Sequence, residues 1–423
     1  MRVIIAGAGI GGLALALSLH ERGIDAVVCE QAVTLRELGV GINLLPHSVG
    51  ELDALGLLSA LEGVAIATEA LIYHNKLGQR IWAEPRGRAA GYDWPQLSIH
   101  RGRLQAILLE AVRQRLGPNA VRCGLQLVEA TQDARGVTAH LVRRDADGAH
   151  VALRGDVLVG ADGIHSAVRR QLMPGEGPPR WSGMMMWRGV VEGEPFLAGR
   201  TMIMAGHIDQ KAVVYPISAE AARRGRSLIN WVMEVRQGDG STPPPRREDW
   251  SRKGRHPDVL RHFSGWRFDW LDIPALLEAT PEFYEYPMVD RDPLPRWSVG
   301  RITLLGDAAH PMYPIGSNGA SQAILDGRAL ARCLVEHADP VRALRFYEAE
   351  RLPPTTQVVL ANRLMGPELV MQLVEERAPD GFSDLSTVIS EDELHRYAER
   401  YKRLAGFAVD QLRRPVPAAA GAH

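Results

Sequence analysis

Lysine is scarce in this chain. Among 49 basic residues only Lys76, Lys211, Lys253 and Lys402 are lysines, so Schiff-base or lysine-nucleophile chemistry has four candidates. Cysteine is scarcer still: Cys29, Cys123 and Cys333 are odd in number, far apart and without a CxxC spacing. That argues against a disulfide framework or a cysteine-rich metal site and leaves three buried, reduced thiols as the expectation. An excess of one charge is missing too. With 49 basic against 50 acidic residues the formal net charge is -1, and no long run of one sign occurs. Neither a nucleic-acid groove nor a polybasic membrane patch is expected. The apolar stretch from Val3 to Leu19 is interrupted by four glycines and followed by no cleavage site, which reads as a soluble, cytoplasmic chain. HExxH, EF-hand, Walker A and GxSxG patterns are absent and the 14 histidines are scattered, so no metal is expected.

Glycine, by contrast, is plentiful: 42 of 423 residues, above the usual ~7%. The length allows two to three domains at ~150 residues each. Val3 to Ala6 reads as a buried strand, Leu13 to Arg22 as a helix stopped by Gly23, and Ala26 to Glu30 as a second buried strand, the opening of a parallel βαβ sheet. Leu71 to Trp82, Met184 to Val191, Thr201 to Ala205, Ala212 to Ile217 and Leu228 to Val235 read as strands between turn residues, a mainly antiparallel sheet. Helix Leu104 to Leu116, strands Asp156 to Gly160 and Arg301 to Leu305, and helix Ser321 to Glu336 return to the first texture. The expected fold is α/β. A Rossmann-like domain over 1–70, 98–173 and 285–365 carries an inserted antiparallel-sheet domain over 71–97 and 174–284. A C-terminal helical segment (366–413) and a disordered tail (414–423) follow. Gln237 to His256 reads as an exposed loop.

Gly7-Ala8-Gly9-Ile10-Gly11-Gly12 fits GxGxxG between strand and helix, and Glu30 ends the next strand 18 residues after Gly12. The chemistry needs this spacing: one glycine turns the chain tightly, one lets backbone approach a diphosphate, and one lets helix and strand pack closely. The helix N-terminus then offers oriented N–H groups to the phosphates, and Glu30 is placed to accept hydrogen bonds from a ribose. This much fits FAD and NAD equally.

Two later glycine motifs bear on the cofactor. Val157-Leu158-Val159-Gly160-Ala161-Asp162-Gly163 is a buried strand ending in an acidic turn. From Ile302 the chain runs through Leu305-Gly306-Asp307-Ala308-Ala309-His310 to Pro314-Ile315-Gly316-Ser317-Asn318-Gly319-Ala320. A strand delivers Asp307 at its C-terminal edge, where ligands lie in open α/β sheets, and Gly316 and Gly319 open another helix. An aspartate there can bind a sugar-alcohol hydroxyl. A helix N-terminus there can face a ring edge that becomes anionic on reduction.

With these motifs in order, the sequence resembles the single-component flavin-dependent aromatic hydroxylases of the p-hydroxybenzoate hydroxylase class. It is most similar to the bacterial phenazine monooxygenase branch, in strings such as LGVGIN, SIHRG, VLVGADGIHSAVR, MWRGV and YPMVDRDPLPRW. The match runs from residue 2 to about 363. The resemblance implies FAD as cofactor. Gly7 to Gly12 and Glu30 would hold its adenosine and diphosphate, Asp162-Gly163 the diphosphate region, Gly306-Asp307 the ribitol, and Pro314 with Gly316, Asn318, Gly319 and Ala320 the flavin ring. Arg36, Gly41, Ile42 and Arg101 resemble further FAD-contacting positions.

The activity implied is hydride transfer from NAD(P)H to FAD, reaction with O2 to a flavin C4a-hydroperoxide, and hydroxylation of a small aromatic substrate, a phenazine or a phenolic or heteroaromatic acid. Loss of CO2 accompanies it where a carboxylate sits on the attacked carbon. Because the flavin carries the chemistry, no lone acid–base residue is expected to stand out. Candidates for the pocket are Tyr215, to stack or hydrogen-bond, and Lys211, on the same strand face by period two, either an exposed strand-end lysine or a partner for a carboxylate. Tyr313 and Pro314, beside the flavin motif, join them. Asn230 and Trp231 point to opposite faces; Arg188, His47 and His310 read as structural. A flavin halogenase is disfavoured because Trp266 and Trp270 have the wrong spacing for WxWxIP. An FAD-dependent oxidase or dehydrogenase, or a catalytically silent FAD-fold binding protein, remain as alternatives.

Overall fold

The computed structural model describes residues 1–37, 39–145, 148–244, 249 and 252–412; the tail at 414–423 and part of the expected loop at 237–256 lie outside the described residues. Strand Arg2–Ala6 pairs in parallel with Asp25–Glu30 and Val157–Gly160, and Val121–Cys123 and Ile302–Leu304 complete a five-stranded parallel sheet. Helix Ile10–Glu21 lies against it with every residue from Gly11 to Leu19 buried. Packed against that helix is helix Gly319–Glu336, whose Gly327 would bring a Cβ to 3.0 Å from the Leu15 backbone nitrogen. Leu15 is fully buried there, and Leu15→Ala would cost ~2–5 kcal/mol.

A seven-stranded sheet forms the second layer. Its order is Phe283–Asp290, Arg180–Gly193, Ser227–Arg236, Gln210–Pro216, Thr201–His207, Ala70–His74 and Arg80–Pro85. All pairs are antiparallel except Thr201–His207 with Ala70–His74. The boundary expected at 284/285 cuts through strand Phe283–Asp290, which hydrogen-bonds along Arg180–Gly193 at the sheet edge. Likewise Gln96–His100 leaves this sheet and pairs with Gly41–Leu44 and Ile66–Thr68. One element had no counterpart in the sequence reading, a three-stranded antiparallel sheet of Leu125–Asp133, Gly136–Arg143 and His150–Gly155.

Period-two alternation sorts the seven-stranded sheet into two faces. Trp187, Trp231 and Met233 pack on one side against helices His256–Phe263 and Ile273–Glu278. Met202, Met204, Val213, Tyr215 and Val232 face the other side, toward Ile315 and the C-terminal segment. That segment brings helix Leu369–Arg377 onto the sheet through Val370, Met371 and Val374. The helix expected to run from Glu391 to Leu412 stops at Leu404, because Gly406 takes a left-handed φ of 79°, and resumes as Val409–Leu412. Among the described residues no helix is long and apolar enough to cross a membrane. Cys29 and Cys333 are buried, Cys123 is half-buried, and all three are free thiols.

Candidate active site

The glycine turn divides its labour by geometry. Gly7 adopts φ 110°, and a Cβ there would stand 2.3 Å from the Ala161 carbonyl oxygen. Gly12 is closed just as tightly, 2.1 Å from the Gly7 oxygen, and Gly11 lies 2.6 Å from Leu305 Cδ2. Gly9 differs: a Cβ there would meet nothing within 4 Å, and Gly9 caps helix Ile10–Glu21 without any side-chain bond to its first N–H groups. Open space thus lies in front of unsatisfied donors, which suits a diphosphate. The Glu30 carboxylate accepts from the backbone nitrogens of Ala8 (2.9 Å) and Ala32 (2.8 Å), so it stands against the turn and braces it. Gln105, which the sequence reading passed over, donates to the Ala8 oxygen at 2.7 Å. Arg36 and Arg101 are both exposed, and Arg101 packs beside Gly39.

The two acidic turns differ in what they present. Asp162 is spent on its own turn: its carboxylate accepts from Ser166 Oγ and from the Ala167 nitrogen at 2.7 Å, and burial raises its pKa. What faces outward is Gly163, at φ 77° with nothing within 4 Å of a Cβ. Asp307 is exposed, and no hydrogen-bond partner holds it among the described residues. Its segment is anchored from beneath by Asp326, which accepts from the Gly306 nitrogen (3.1 Å), His310 Nε2 (2.5 Å) and Arg351 Nε (2.8 Å). Burial alone would raise the Asp326 pKa, but His310 and Arg351 outweigh it and hold the carboxyl at about 2. His310 is structural, as expected. His47 is structural by packing rather than by the hydrogen bonding expected: it is buried with neither ring nitrogen hydrogen-bonded, stacked on Phe407 at 5.5 Å.

From Pro314 the chain makes a strained turn, with Gly316 at φ 67° and Ser317 at φ 59°, before helix Gly319–Glu336. Positive φ at a non-glycine residue is costly and concentrates at functional sites. Gly319 has open space at its Cβ position, whereas one on Gly316 would lie 2.2 Å from Tyr401 Oη. Asn318, expected at the cofactor, turns its amide inward and donates to the Gly316 oxygen (3.1 Å) and Tyr401 Oη (2.9 Å). The C-terminal helix Glu391–Leu404 is therefore tied directly to this turn. Ala320 is half-buried in the first turn of helix Gly319–Glu336.

Beside Pro314 and Ser317 lies a pocket with about 380 Å³ of empty space, part of it open to solvent, against the seven-stranded sheet. Cross-strand register builds its wall: Lys211 stands opposite Glu234, Val213 opposite Val232, and Tyr215 opposite Asn230. Lys211 overturns both expectations held for it. It is neither exposed nor free for a substrate carboxylate, because its ammonium lies 2.9 Å from Glu234 Oε2 and is bonded to Glu368. Burial would lower its pKa; the two carboxylates win and hold it well above the ordinary lysine value. Glu368 comes from the C-terminal segment, and burial raises its pKa against the pull of Lys211. Tyr313 also departs from expectation. It lines neither this cavity nor the one behind it, and its buried ring lies by Asp290 and Arg363.

Tyr215 is completely enclosed. Its hydroxyl donates to the Gly41 oxygen at 2.8 Å, and burial, opposed by Arg188, pushes its pKa up to about 12. Arg188 Nη2 donates to the same oxygen at 2.7 Å, and the Gly41 nitrogen donates to Asn230 Oδ1 at 2.6 Å. A Cβ on Gly41 would sit 2.7 Å from Ile217 Cγ2 and 2.8 Å from Asn230, so only glycine fits this clamp. The sheet thereby fixes strand Gly41–Leu44, on which Ile42 pairs with Ile99. The sequence carried a signal for part of this: Asn230 and Glu234 are polar residues on one face of an otherwise apolar strand.

A glycine turn with an open helix N-terminus, an uncommitted aspartate ending a neighbouring parallel strand and an adjoining pocket define a dinucleotide-cofactor oxidoreductase. Within the three glycine motifs, Gly9, Gly163 and Gly319 are the ones with open space at the Cβ position, and these three segments would hold FAD. Residues 1–362 match the FAD binding domain family, and the chain belongs to it. It is 50% identical over 363 residues to the phenazine 1,6-dicarboxylic acid hydroxylase of Lysobacter antibioticus, covering 85% of this chain and 89% of that one. Identity to the 3-hydroxybenzoate 6-hydroxylase of Polaromonas naphthalenivorans is 32%, covering 90% and 94%. The structure of Klebsiella pneumoniae HpxO complexed with FAD and uric acid aligns with TM-score 0.72 at 25% identity, covering 97% and 94%. The protein is an FAD-dependent aromatic monooxygenase, acting on a small aromatic substrate with O2.

Proposed function

We propose that the protein hydroxylates a fused-ring N-heteroaromatic acid of the phenazine type, drawing electrons from NAD(P)H. The parallel-sheet unit holds FAD and the seven-stranded sheet holds the substrate. In this reading the N–H groups following Gly9 receive the diphosphate, Glu30 the adenosine ribose, and Arg36 and Arg101 flank the charged half of the cofactor. Asp162-Gly163 borders the diphosphate through its open glycine. Asp307 receives the ribityl hydroxyls, and Gly41, Ile42, Pro314 and the turn through Gly316 to Ala320 border the ring. When bound, FAD supplies hydride acceptance and oxygen activation.

The chain's own task is positioning. The observation that carries the reading is the cavity beside Pro314. Val213, Val232, Met202 and Met204 give it apolar walls for a flat ring, and Glu368 of the C-terminal segment covers it. Tyr215, with its pKa near 12, stays protonated at neutral pH and spends its proton on the Gly41 carbonyl, so it positions the strand beside the ring rather than acting as a base. The test is NADH and NADPH oxidation by the FAD-bound protein, screened across phenazine carboxylic and phenolic acids. A gain of one oxygen, or exchange of CO2 for hydroxyl, is expected with a phenazine acid. Coenzyme oxidation yielding only reduced oxygen with every such acid would overturn the assignment.

A further inference from the structure

Behind this pocket lies a second one, with about 400 Å³ of empty space that is likewise partly open to solvent, and the two share Met202, Met204 and Ser317 as common wall. Methionine is the most adaptable of apolar side chains, so this partition can shift to join the chambers under a ligand longer than one ring. The second chamber is assembled from strands Ala70–His74 and Arg80–Pro85 together with the C-terminal helix Glu391–Leu404.

Its polar wall is incomplete in one specific way. Glu84, 2% exposed, accepts from Arg86 Nη2 at 2.6 Å, and Lys402 Nζ stands 2.6 Å from its other oxygen. Two cations thus converge on one buried carboxylate. The remaining acid, Glu399, reaches Lys402 from the solvent side with half its side chain exposed. Arg86, 8% exposed, donates toward the Tyr73 hydroxyl, which is not exposed at all, and no acceptor takes the phenol's own proton. A guanidinium N–H donates only, so the buried phenol that receives it still lacks an acceptor for its own proton. Native interiors rarely leave such donors unmade. What would complete this wall is an anionic acceptor, and the surplus of cations favours a carboxylate over a neutral carbonyl. Leu71 and Ala398 line the same chamber and leave room for a ring edge.

We propose that this chamber is a carboxylate-recognising subsite. It takes an acid group on the ring remote from the one being hydroxylated, and Arg86 and Tyr73 are its specificity-determining residues. The inference rests on the fused-ring reading above and sharpens it: the substrate is an extended aromatic acid whose anionic end lies on the C-terminal side of the methionine partition.

The test is titration calorimetry on the FAD-bound protein with phenazine-1,6-dicarboxylate and with unsubstituted phenazine, in wild type, Tyr73→Phe and Arg86→Lys, alongside hydroxylation assays. Tyr73→Phe removes the phenol oxygen that Arg86 meets but leaves Arg86 its bond to Glu84, so it is expected to fold and to melt close to wild type. Wild type is expected to prefer the diacid, and each variant to lose ~10- to 100-fold of that preference, the range for a charge-assisted hydrogen bond. If phenazines bind and are hydroxylated yet folded Tyr73→Phe and Arg86→Lys keep the full wild-type preference, the subsite is refuted and the fused-ring reading stands. If no phenazine binds or is hydroxylated, both readings fall.

Discussion

Tyr215 and Gly41, 174 positions apart in sequence, are joined by a 2.8 Å hydrogen bond from the phenol to the glycine carbonyl. The bond ties the substrate sheet to the strand proposed to border the flavin. Gly41 O also receives Arg188, whereas Gly41 N has Asn230 as its partner. The two sides of the clamp are therefore unequal. Tyr215→Phe leaves the carbonyl satisfied and is expected to cost ~1 kcal/mol. Asn230→Ala orphans a buried N–H and is expected to cost ~1–3 kcal/mol. Urea unfolding of the two variants checks the order, and the reverse order would refute the clamp as drawn.

Asp307 has no structural partner to lose among the described residues, so Asp307→Ala is expected to keep the wild-type melting temperature of the FAD-free protein. Its affinity for FAD is expected to fall ~10- to 100-fold, as for a lost charged hydrogen bond. Fluorescence titration with FAD measures this; unchanged affinity would remove Asp307 from the ribityl site.

Gly9 and Gly12 sit three residues apart and should fail in different ways. Gly12→Ala drives a Cβ to within 2.1 Å of a backbone oxygen and is expected to yield insoluble or strongly destabilised protein. Gly9→Val has open space in the FAD-free fold and is expected to fold normally while binding FAD poorly. Circular dichroism and flavin content separate the two outcomes.

Lys211→Met would leave Glu234 and Glu368 buried side by side with no cation between them. A loss of ~3–5 kcal/mol is expected, because breaking a buried ion network strands the remaining charges. Adding Glu234→Gln and Glu368→Gln should restore most of it. A triple variant no more stable than the single one, by denaturant titration, would show that the charges are not the cause.

His47 makes stability depend on pH. Burial, with a smaller push from Arg351, lowers its pKa from 6.5 to about 3. The unfolded chain therefore binds a proton that the folded one refuses between those values, and stability falls as pH drops through this window by up to ~1.4 kcal/mol per pH unit. Above pH 6.5 the contribution is fully present. His47→Leu is expected to flatten the decline in melting temperature between pH 6.5 and 4.5, and an unaltered slope would assign the acid sensitivity elsewhere.

Local patterns made the parallel sheet and its glycine turn legible in advance. Buried parallel strands are continuous apolar runs, and Gly9 and Gly12 are needed for reasons confined to a few neighbouring residues, whereas Gly7 is also closed by Ala161, just past a strand far along the chain. The same holds for Asp307, whose position follows from the strand that precedes it. The three-stranded sheet over 125–155 escaped notice because its strands are half exposed and polar, so the alternation is weak. The domain boundary near 285 slipped because Phe283–Asp290 is assigned to a sheet by its partner, not by its own composition.

The sequence by itself determined that a glycine-lined parallel sheet would bind a dinucleotide and that Lys211 shares a strand face with Tyr215. Only the tertiary structure decided what those side chains do. Lys211 looked available because its own strand offers it no acid: Asp209, two residues before it, pairs with Arg236, and it is Glu234 and Glu368 that reach it from 23 and 157 positions away and consume its charge. Tyr215 looked free for a ligand until Gly41, from the other sheet, took its proton. Tyr73, Arg86 and Lys402 meet in one chamber only because the C-terminal helix folds back over the sheet. Electrostatic partners act through space at a few ångströms, and pattern along a chain reports distance only within a helix or a strand.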